Sequence, residues 1–427
     1  ASIAANACGS EPICSVFRGP LRLSRGPLFF RGALGKSPQV SLERNKENKM
    51  FNKQLGLIAL GVISATQAIA SEQSESKGFV EDSHLNVLLR NAYISRDYKH
   101  GNDDKAEWGQ AFIGKFSSGF TQGTVGVGVD AFGLYGVRLD GGKGRTGAGG
   151  IDFFKRGTDE NGEPTSAPHD LARAGAAVKF RFSNTEIKYG DQMPALPVLN
   201  YDDGRLLPES FTGTLITSKE IDGLVLNAGR FTQEARKSAE GRDSGGLKKL
   251  DVYGGSYKFT DNFSAALYAS DVEDVLRKQY INLNYVLPMP DKQSLTFDFN
   301  GYRTKLDQQY ADTLGTGQDN KIWSLAATYA FGPHSITLAH QRSTGSTGYN
   351  YSGYQNAGGV GDGGSTIYLA NSYWSDFNAE DEVSWQIGYG LDFSTFGVPG
   401  LTYKVAYVRG DNIRTDSGDG QEREIFN

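Results

Sequence analysis

Apolar and polar residues alternate in short runs along most of the chain. Within residues 323–331, the odd positions carry Trp323, Leu325 and Tyr329, whereas the even positions are small or polar. Because successive side chains of a strand point to opposite faces, each run predicts a strand with one apolar and one polar face. The runs are about ten residues long, which is the length of a tilted strand that crosses a membrane.

The connections between these runs are of two kinds. Asp261 and Asn262 stand in one short connection and Gly332 and Pro333 in another, whereas other connections are long and rich in glycine. Short turns at one end and long loops at the other are typical of outer-membrane barrels. A soluble sandwich or propeller would bury an apolar face dominated by Val, Ile and Leu. Here many strands end in a tyrosine on their apolar face, as in the aromatic girdle at a membrane interface. These tyrosines are Tyr93, Tyr189, Tyr285, Tyr329 and Tyr407. The pattern predicts an all-β fold, a transmembrane antiparallel β-barrel in the outer membrane.

The composition agrees with an outer-membrane barrel and argues against a nucleic-acid partner. The 427 residues include 55 Gly, 21 Tyr and 24 Phe, and no run of about 18 apolar residues could form a membrane-spanning helix. The net charge of -5 argues against a nucleic-acid partner. The only two cysteines, Cys8 and Cys14, lie close to the start, so the rest of the chain has no disulfide framework.

The N-terminal segment is expected to lie outside the barrel. Residues 50–70 have the form of a secretory signal: Met50 and Lys53 begin it, an apolar stretch follows, and Ala68 and Ala70 flank the small-residue cleavage motif. We therefore expect 71–427 to be the barrel and 1–49 to be unstructured upstream translation. A genuine extension such as a transit peptide is the alternative interpretation of 1–49.

Lysine and arginine recur on the polar face of the predicted strands. A line of cations beside a narrow water path concentrates anions, and arginine can hold a carboxylate through two hydrogen bonds. The alternative is that these side chains only solvate the lumen, which also contains acidic residues. The predicted lumen-facing cations are Arg90, Arg96, Lys179, Arg181, Lys188 and Lys404.

The alternation stops in two regions. Residues 190–208 contain three prolines and several apolar residues, which predicts a loop folded into the barrel with Arg205 at the constriction. Residues 343–364, followed by Trp374 and Asp376, are the candidate for the opposite wall.

Enzymatic chemistry is not indicated. The five histidines lack metal-ligand spacing, no Gly-x-Ser-x-Gly elbow is present, and no cofactor is expected. The alternative to a channel is a non-conducting structural barrel or adhesin. A serine-peptidase-like porin is a less favoured alternative.

Several motifs resemble the porin D family, the substrate-specific outer-membrane carboxylate channels of pseudomonads. The likeness covers essentially the whole predicted mature chain, including segments 77–83, 88–91, 119–124, 129–133, 205–208, 260–262, 368–372 and 397–401. The resemblance implies a monomeric barrel of eighteen strands with inward-folded constriction loops and a ladder of Arg and Lys. It also implies insertion by the barrel-assembly machinery and contact with outer-membrane lipid and lipopolysaccharide.

The resemblance also assigns residues. Arg96, Lys105 and Arg205 match ladder or constriction positions, and Ser365, Thr366 and Asp376 match the facing polar patch. Where relatives carry an acidic residue beside the serine, this chain has Ser365 and Thr366. That difference favours small cyclic or aromatic carboxylates over basic amino acids as solutes of a passive channel. The family continues beyond residue 427, so we expect the last strands to be missing.

Overall fold

The computed structural model describes residues 71–96, 104–140, 151, 153–154, 167–242, 247–351, 367–415 and 418–426, and the backbone of one strand near the start. Residues 1–18 and 71–427 belong to one compact unit, and residues 19–70 form a second unit, which lies outside the described residues. The signal peptide at 50–70 and the upstream character of 1–49 remain predictions.

Antiparallel strands make up most of the described chain. Seventeen of them form one sheet. Strands adjacent in sequence pair with each other, except that β6 pairs with β9 around the small hairpin β7–β8. Among the described residues, helix is limited to α1 (Gln308–Leu314) and two 3₁₀ turns, Pro290–Lys292 and Phe393–Phe396. The strands are β1 (Cys14–Phe17), β2 (His84–Arg96), β3 (Lys105–Ser117), β4 (Val125–Arg138), β5 (Asp170–Phe182), β6 (Thr185–Gln192), β7 (Ala195–Leu196), β8 (Leu199–Asn200), β9 (Ser210–Ser218), β10 (Leu224–Ala235), β11 (Leu250–Thr260), β12 (Phe263–Val272), β13 (Leu276–Met289), β14 (Gln293–Leu306), β15 (Asp319–Phe331), β16 (His334–Gly345), β17 (Val383–Asp392), β18 (Thr402–Thr415) and β19 (Gly418–Phe426).

The two faces of the sheet have the polarity that the alternation predicts. On the outer face, Leu267 is 61% exposed and Trp385 is 62% exposed, whereas the inward Ser324 and Gln341 are fully buried. Apolar side chains outside and polar side chains inside are the reverse of a water-soluble sheet and match a barrel wall in lipid. Four of the predicted girdle tyrosines are exposed on the outer face, and the fifth is half-buried: Tyr93, Tyr189, Tyr285, Tyr407 and Tyr329 respectively.

The connections also differ at the two ends of the strands. Asp261 and Asn262 alone join β11 to β12, and Gly332 adopts the left-handed φ of 55° in the equally short turn from β15 to β16. At the opposite end, residues 346–382 separate β16 from β17. No helix in the described ranges combines the length and apolar character needed to cross a membrane.

Two of the connections fold against the inner face of the sheet. We call residues 193–209, between β6 and β9, the first inward loop. The second inward loop is the described part of the connection between β16 and β17, residues 346–351 and 367–382. Apolar residues of both loops, Leu199 and Val198 of the first and Ile367 and Leu369 of the second, are buried in one hydrophobic cluster. The prediction that residues 190–208 form an inward loop is confirmed, although β6 continues to Gln192.

Candidate solute pathway

The first inward loop packs closely against two strands at positions where those strands carry glycine. Leu206 and Leu207 are completely buried against β3 and β4. A Cβ at Gly109 would stand 2.6 Å from Cδ2 of Leu206, and one at Gly136 would stand 3.1 Å from the same atom. The loop can approach the wall this closely only because neither glycine carries a side chain.

Two arginines on the inner face hold the backbone of this loop. Nη1 of Arg90 donates to the carbonyl oxygen of Arg205 at 2.6 Å and lies 2.8 Å from Oδ1 of Asp203. Arg173 of β5 donates to the carbonyl oxygen of Pro208. The Arg90 side chain is only 12% exposed, so it contributes more to anchoring the loop than to contact with solutes.

Arg205 lies on the first inward loop, and its role at a constriction remains a prediction. Its Nε donates to the carbonyl oxygen of Ile151 at 2.9 Å and its Nη1 to that of Gly204 at 2.8 Å. Its side chain is half-buried, which leaves part of the guanidinium accessible. Nearby, Nζ of Lys115 lies 5.4 Å from the centre of the Tyr201 ring, and burial raises the pKa of that tyrosine.

Three of the predicted cations lie together nearer the short-turn end of the wall. The carboxylate of Asp130, on β4, forms salt bridges with Nζ of Lys179 at 2.7 Å and with Nζ of Lys188 at 2.6 Å. Arg181 lies beside them, 4.1 Å from the centre of the Phe120 ring. Asp130 therefore neutralises part of the charge on the two lysines, of which Lys188 remains the more accessible at 26% exposure.

Arg96 and Lys105 lie at the long-loop end, facing each other where β2 and β3 begin to separate. The guanidinium carbon of Arg96 is 4.8 Å from the centre of the Trp374 ring, in cation–π contact with the second inward loop. The predicted cations thus descend along the inner face in the order Arg96, Arg90, Lys179 and Arg181. Their participation in solute passage remains a prediction.

The second inward loop carries acidic groups. Asp376 accepts hydrogen bonds from the hydroxyls of Tyr351 and Ser372, and its burial raises the pKa of its carboxyl group. Glu424 of β19 accepts from the backbone N–H groups of Trp374 and Ser375, both at 2.9 Å. Ser365 and Thr366, the other residues of the predicted polar patch, lie outside the described residues.

One carboxyl group of this loop titrates far from its usual range. Burial raises the pKa of Glu382 to about 8, and the neighbouring Glu422 adds to the shift. Oε2 of Glu382 accepts from the backbone N–H of Ala379 at 3.0 Å. At neutral pH this carboxyl group therefore holds its proton where an ordinary glutamate would be ionised.

A single tyrosine connects the two inward loops. The hydroxyl of Tyr302, on β14, donates to the carbonyl oxygen of Pro197 in the first loop at 3.1 Å. The same oxygen accepts from the backbone N–H of Tyr368 in the second loop, also at 3.1 Å. The Tyr280 ring packs 4.8 Å away, centre to centre. One hydroxyl group therefore hydrogen-bonds to both inward loops, in addition to the hydrophobic cluster that they share.

Below the second loop, the inner face encloses a cavity of about 660 Å³ lined by β13 to β18. Polar groups such as Asn282, Asp298 and Gln386 alternate with aromatic rings. Lys404 points into it and is exposed; in the part of the chain that the structure describes, it forms no ion pair. Lys404 thus lies apart from the other cations and remains available to a solute.

Alternation alone did not single out several residues of this pathway. Lys115 and Asp130 lie on the inner parity of β3 and β4, so the same pattern could have identified them. Arg173 could also have been found from its parity, but its bonds to loop carbonyls could not. Tyr280 and Tyr302 point inward, although the sequence associates tyrosine mainly with the outer girdle.

Together, the outward apolar face, the inward polar face and the cation-bearing inner wall define an outer-membrane β-barrel channel. A model of the outer membrane porins of the OprD family matches residues 77–427. Because that match covers most of the chain, the protein belongs to the OprD family. The resemblance to the porin D family and the outer-membrane location are thus confirmed.

Known relatives support the same assignment over similar lengths. The chain is 43% identical to Porin D of Pseudomonas aeruginosa over 360 residues, which are 82% of this chain and 78% of that protein. The crystal structure of OccAB1 of Acinetobacter baumannii is 40% identical, has a TM-score of 0.74, and covers 83% of this chain and 87% of its own. That of OpdK of P. aeruginosa with vanillate is 33% identical, has a TM-score of 0.68, and covers 82% and 88%. These relatives are porins, which are channels and not enzymes. Within the described residues, no group of three or more His, Cys, Asp or Glu side chains could hold a metal ion.

Proposed function

We propose that this protein is a passive channel for small carboxylate-bearing solutes, with cyclic or aromatic carboxylates favoured over basic amino acids. The observation that carries the proposal is the succession of inward cations on β2 to β6, with Arg205 on the loop that packs across them. The complex of the OpdK relative with vanillate, an aromatic carboxylate, supports the same class of solute.

The succession provides two kinds of contact for a carboxylate. Arg205 and Lys404 keep accessible donors, one on the first inward loop and one in the cavity near the short-turn end. Lys179, Lys188 and Arg181 lie between aromatic and carboxylate groups. A solute bound weakly at several successive points can leave each one, which passive conduction requires. No energy coupling is needed.

The cellular partners follow from the membrane location. We propose that the barrel is inserted by the barrel-assembly machinery, works as a monomer, and is surrounded by outer-membrane lipid and lipopolysaccharide. Ser365 and Thr366 remain candidates for the polar patch facing the cations.

Uptake into liposomes containing the protein tests the proposal. We expect glucuronate to enter faster than arginine and faster than the neutral sugar glucose, since neither of the latter carries a net negative charge. Equal uptake of glucuronate and glucose would show an unselective pore. Faster uptake of arginine would reverse the proposed preference and would give the acidic groups around Asp376 the dominant role.

A further inference from the structure

The outer face of the sheet contains a groove that the solute pathway does not use. It spans β11 to β15 near their long-loop ends and has a volume of about 610 Å³. Tyr253, Leu267, Ile281 and Trp323 form its walls. Its floor is low because Gly301 separates Ile281 from Trp323 in the cross-strand row.

The groove is open to the surroundings of the barrel. Leu267 is 61% exposed and Tyr253 is 58% exposed, and both belong to the apolar outer face. A Cβ at Gly301 would meet nothing closer than 3.4 Å. An apolar depression on the lipid-facing surface is filled by acyl chains in a membrane.

Two cations lie directly above the apolar part. Arg303 is paired across the sheet with Gln279 on one side and with Lys321 on the other. Both cations are exposed, and both line the groove. Facing side chains on adjacent strands lie about 5 Å apart at Cβ, and like charges in that arrangement destabilise the sheet. An anion placed between them would remove this repulsion.

Two other outward cations at the same end of the strands have carboxylate partners, and these two provide a comparison. Arg230 pairs with Asp251 at 2.6 Å, and Arg409 pairs with Asp411 at 3.0 Å. Among the described residues, Arg303 and Lys321 form no ion pair; the acidic residue nearest in register, Asp319, faces Lys305. The charge of Arg303 and Lys321, which no carboxylate of the described residues neutralises, therefore lies where the apolar groove ends.

The position of the cations fits the headgroup region of the outer leaflet. Below them on β14 and β15 the outward residues are apolar or aromatic down to the short turns, as with Phe299 and Leu325. The short turns of such barrels face the periplasm, and the long loops face outward. A charge beyond the upper edge of the apolar band lies at the level of lipid phosphates.

We propose that this groove is a specific site for a phosphorylated, multiply acylated lipid of the outer leaflet, of the lipid A type. One acyl chain occupies the depression over Gly301, and a phosphate lies between Arg303 and Lys321. The charge complementarity selects this lipid over zwitterionic phospholipid, and the long-loop position selects the outer leaflet. The site is on the opposite face of the wall from the solute pathway and does not depend on the proposed solute.

Native mass spectrometry of the purified protein in detergent, titrated with hexa-acylated diphosphoryl lipid A, tests the site. We expect Arg303→Gln/Lys321→Gln to weaken retention of this lipid at least tenfold. The matched control is Arg230→Gln/Arg409→Gln, which removes the same charge from the same rim and should bind like the unmodified protein. Gly301→Leu should weaken binding while leaving both cations in place. Heat-modifiable migration in SDS confirms that each variant is folded.

The choice of probes separates the alternatives. Monophosphoryl lipid A should bind more weakly, phosphatidylethanolamine should bind less than either, and inorganic phosphate should not displace the bound lipid. An equal loss of lipid A retention in the two double variants would mean that positive charge anywhere at this end of the outer face is sufficient. That result would overturn the proposal. A lipid-independent dimer abolished by Gly301→Leu would assign the groove to a second copy of the chain instead.

Discussion

The first inward loop is held to the wall by cations that bind its carbonyl oxygens, whereas the wall binds the second loop through groups of both signs. Arg90 and Arg173 donate to carbonyl oxygens of residues 193–209. Glu424 accepts from the backbone N–H groups of Trp374 and Ser375 in the second loop, and Lys278 donates to the carbonyl oxygen of Asn350 in the same loop. The carboxylate of Glu424 is thus an acidic contribution to the second loop's attachment, beside the basic ones. We expect a solute with a carboxylate to be attracted to the side of the first loop, where Arg205 lies.

The contrast also distinguishes cations that support structure from cations that remain available. Arg90 and Lys179 have short contacts to Asp203 and Asp130. Lys404 has no ion-pair partner in the described part of the chain, and the half-buried Arg205 donates to the carbonyl oxygens of Ile151 and Gly204. Substitution of the first kind should alter the loop, and substitution of the second kind should alter solute preference.

The largest effect is expected for Arg90→Met. The change removes the anchor of the first loop and leaves Asp203 without its partner, at a cost of about 3 kcal/mol in the free energy of unfolding. Urea unfolding of the detergent-solubilised protein measures this loss, and single-channel conductance should rise as the loop moves. Arg96→Met, which loses a ring contact but no loop carbonyl, is the matched control. Equal losses in the two variants would contradict the anchoring role of Arg90.

Tyr302→Phe should have the next largest effect because the hydroxyl serves both loops. Its removal leaves the carbonyl of Pro197 and the N–H of Tyr368 unpaired, which should cost about 2 kcal/mol. Proteolysis at the loops and increased current fluctuation report the loosening. Tyr280→Phe is the control, since its hydroxyl donates to Asn300 and not to a loop. If the two variants behave alike, Tyr302 does not link the loops.

The second loop should respond to pH through Glu382. Its folded pKa of about 8 exceeds the usual value of 4.5, so the folded protein binds an extra proton between these limits. The resulting stabilisation is complete below about pH 4.5 and is lost as pH rises through 8. Trp374 lies in the loop, and its fluorescence should change over this interval.

Two variants sharpen that expectation. Glu382→Gln should abolish the transition, because the amide cannot ionise. Glu380→Gln, which affects a half-buried residue paired with the exposed Arg414, should retain it. Persistence of the transition in Glu382→Gln would assign it to another group.

A smaller change is expected for Lys404→Gln. The lysine is exposed, so its attraction for a carboxylate is about 1 kcal/mol or less. Glucuronate uptake should fall by about twofold to fivefold, while glucose uptake stays constant. Arg409→Gln on the outward face of the same strand provides a control of equal charge. A matching decrease in that control would mean that overall charge, and not the cavity, governs uptake.

The sequence predicted the wall better than it predicted the interior. Alternation determines which face a side chain occupies, because strand geometry is local, and Arg90 and Lys179 lie where their parity places them. It does not determine which partner neutralises them. The pairing of Arg90 with Asp203 joins residues more than a hundred positions apart, and no local pattern contains it.

The loops show the same limit. The prolines and apolar residues of 190–208 predicted an inward fold, but the bridging role of Tyr302 depends on three separate segments meeting at one oxygen. Arg303 and Lys321 are two neighbours across a strand pair, and their adjacency follows from a register that sequence alone does not define. Ser365 and Thr366 remain predictions from resemblance.

The preference for carboxylates that we propose depends on Arg205 at the first inward loop. Its most direct test is liposome uptake of glucuronate and glucuronamide, two solutes that differ only in carboxylate and carboxamide. The guanidinium can gain about 1.5–3 kcal/mol from a carboxylate, and loss of half of this lowers glucuronate uptake by about threefold to tenfold. We predict that Arg205→Ala lowers uptake of glucuronate by this factor and leaves that of glucuronamide unchanged. An equal change for both solutes, or no change for either, would contradict the account.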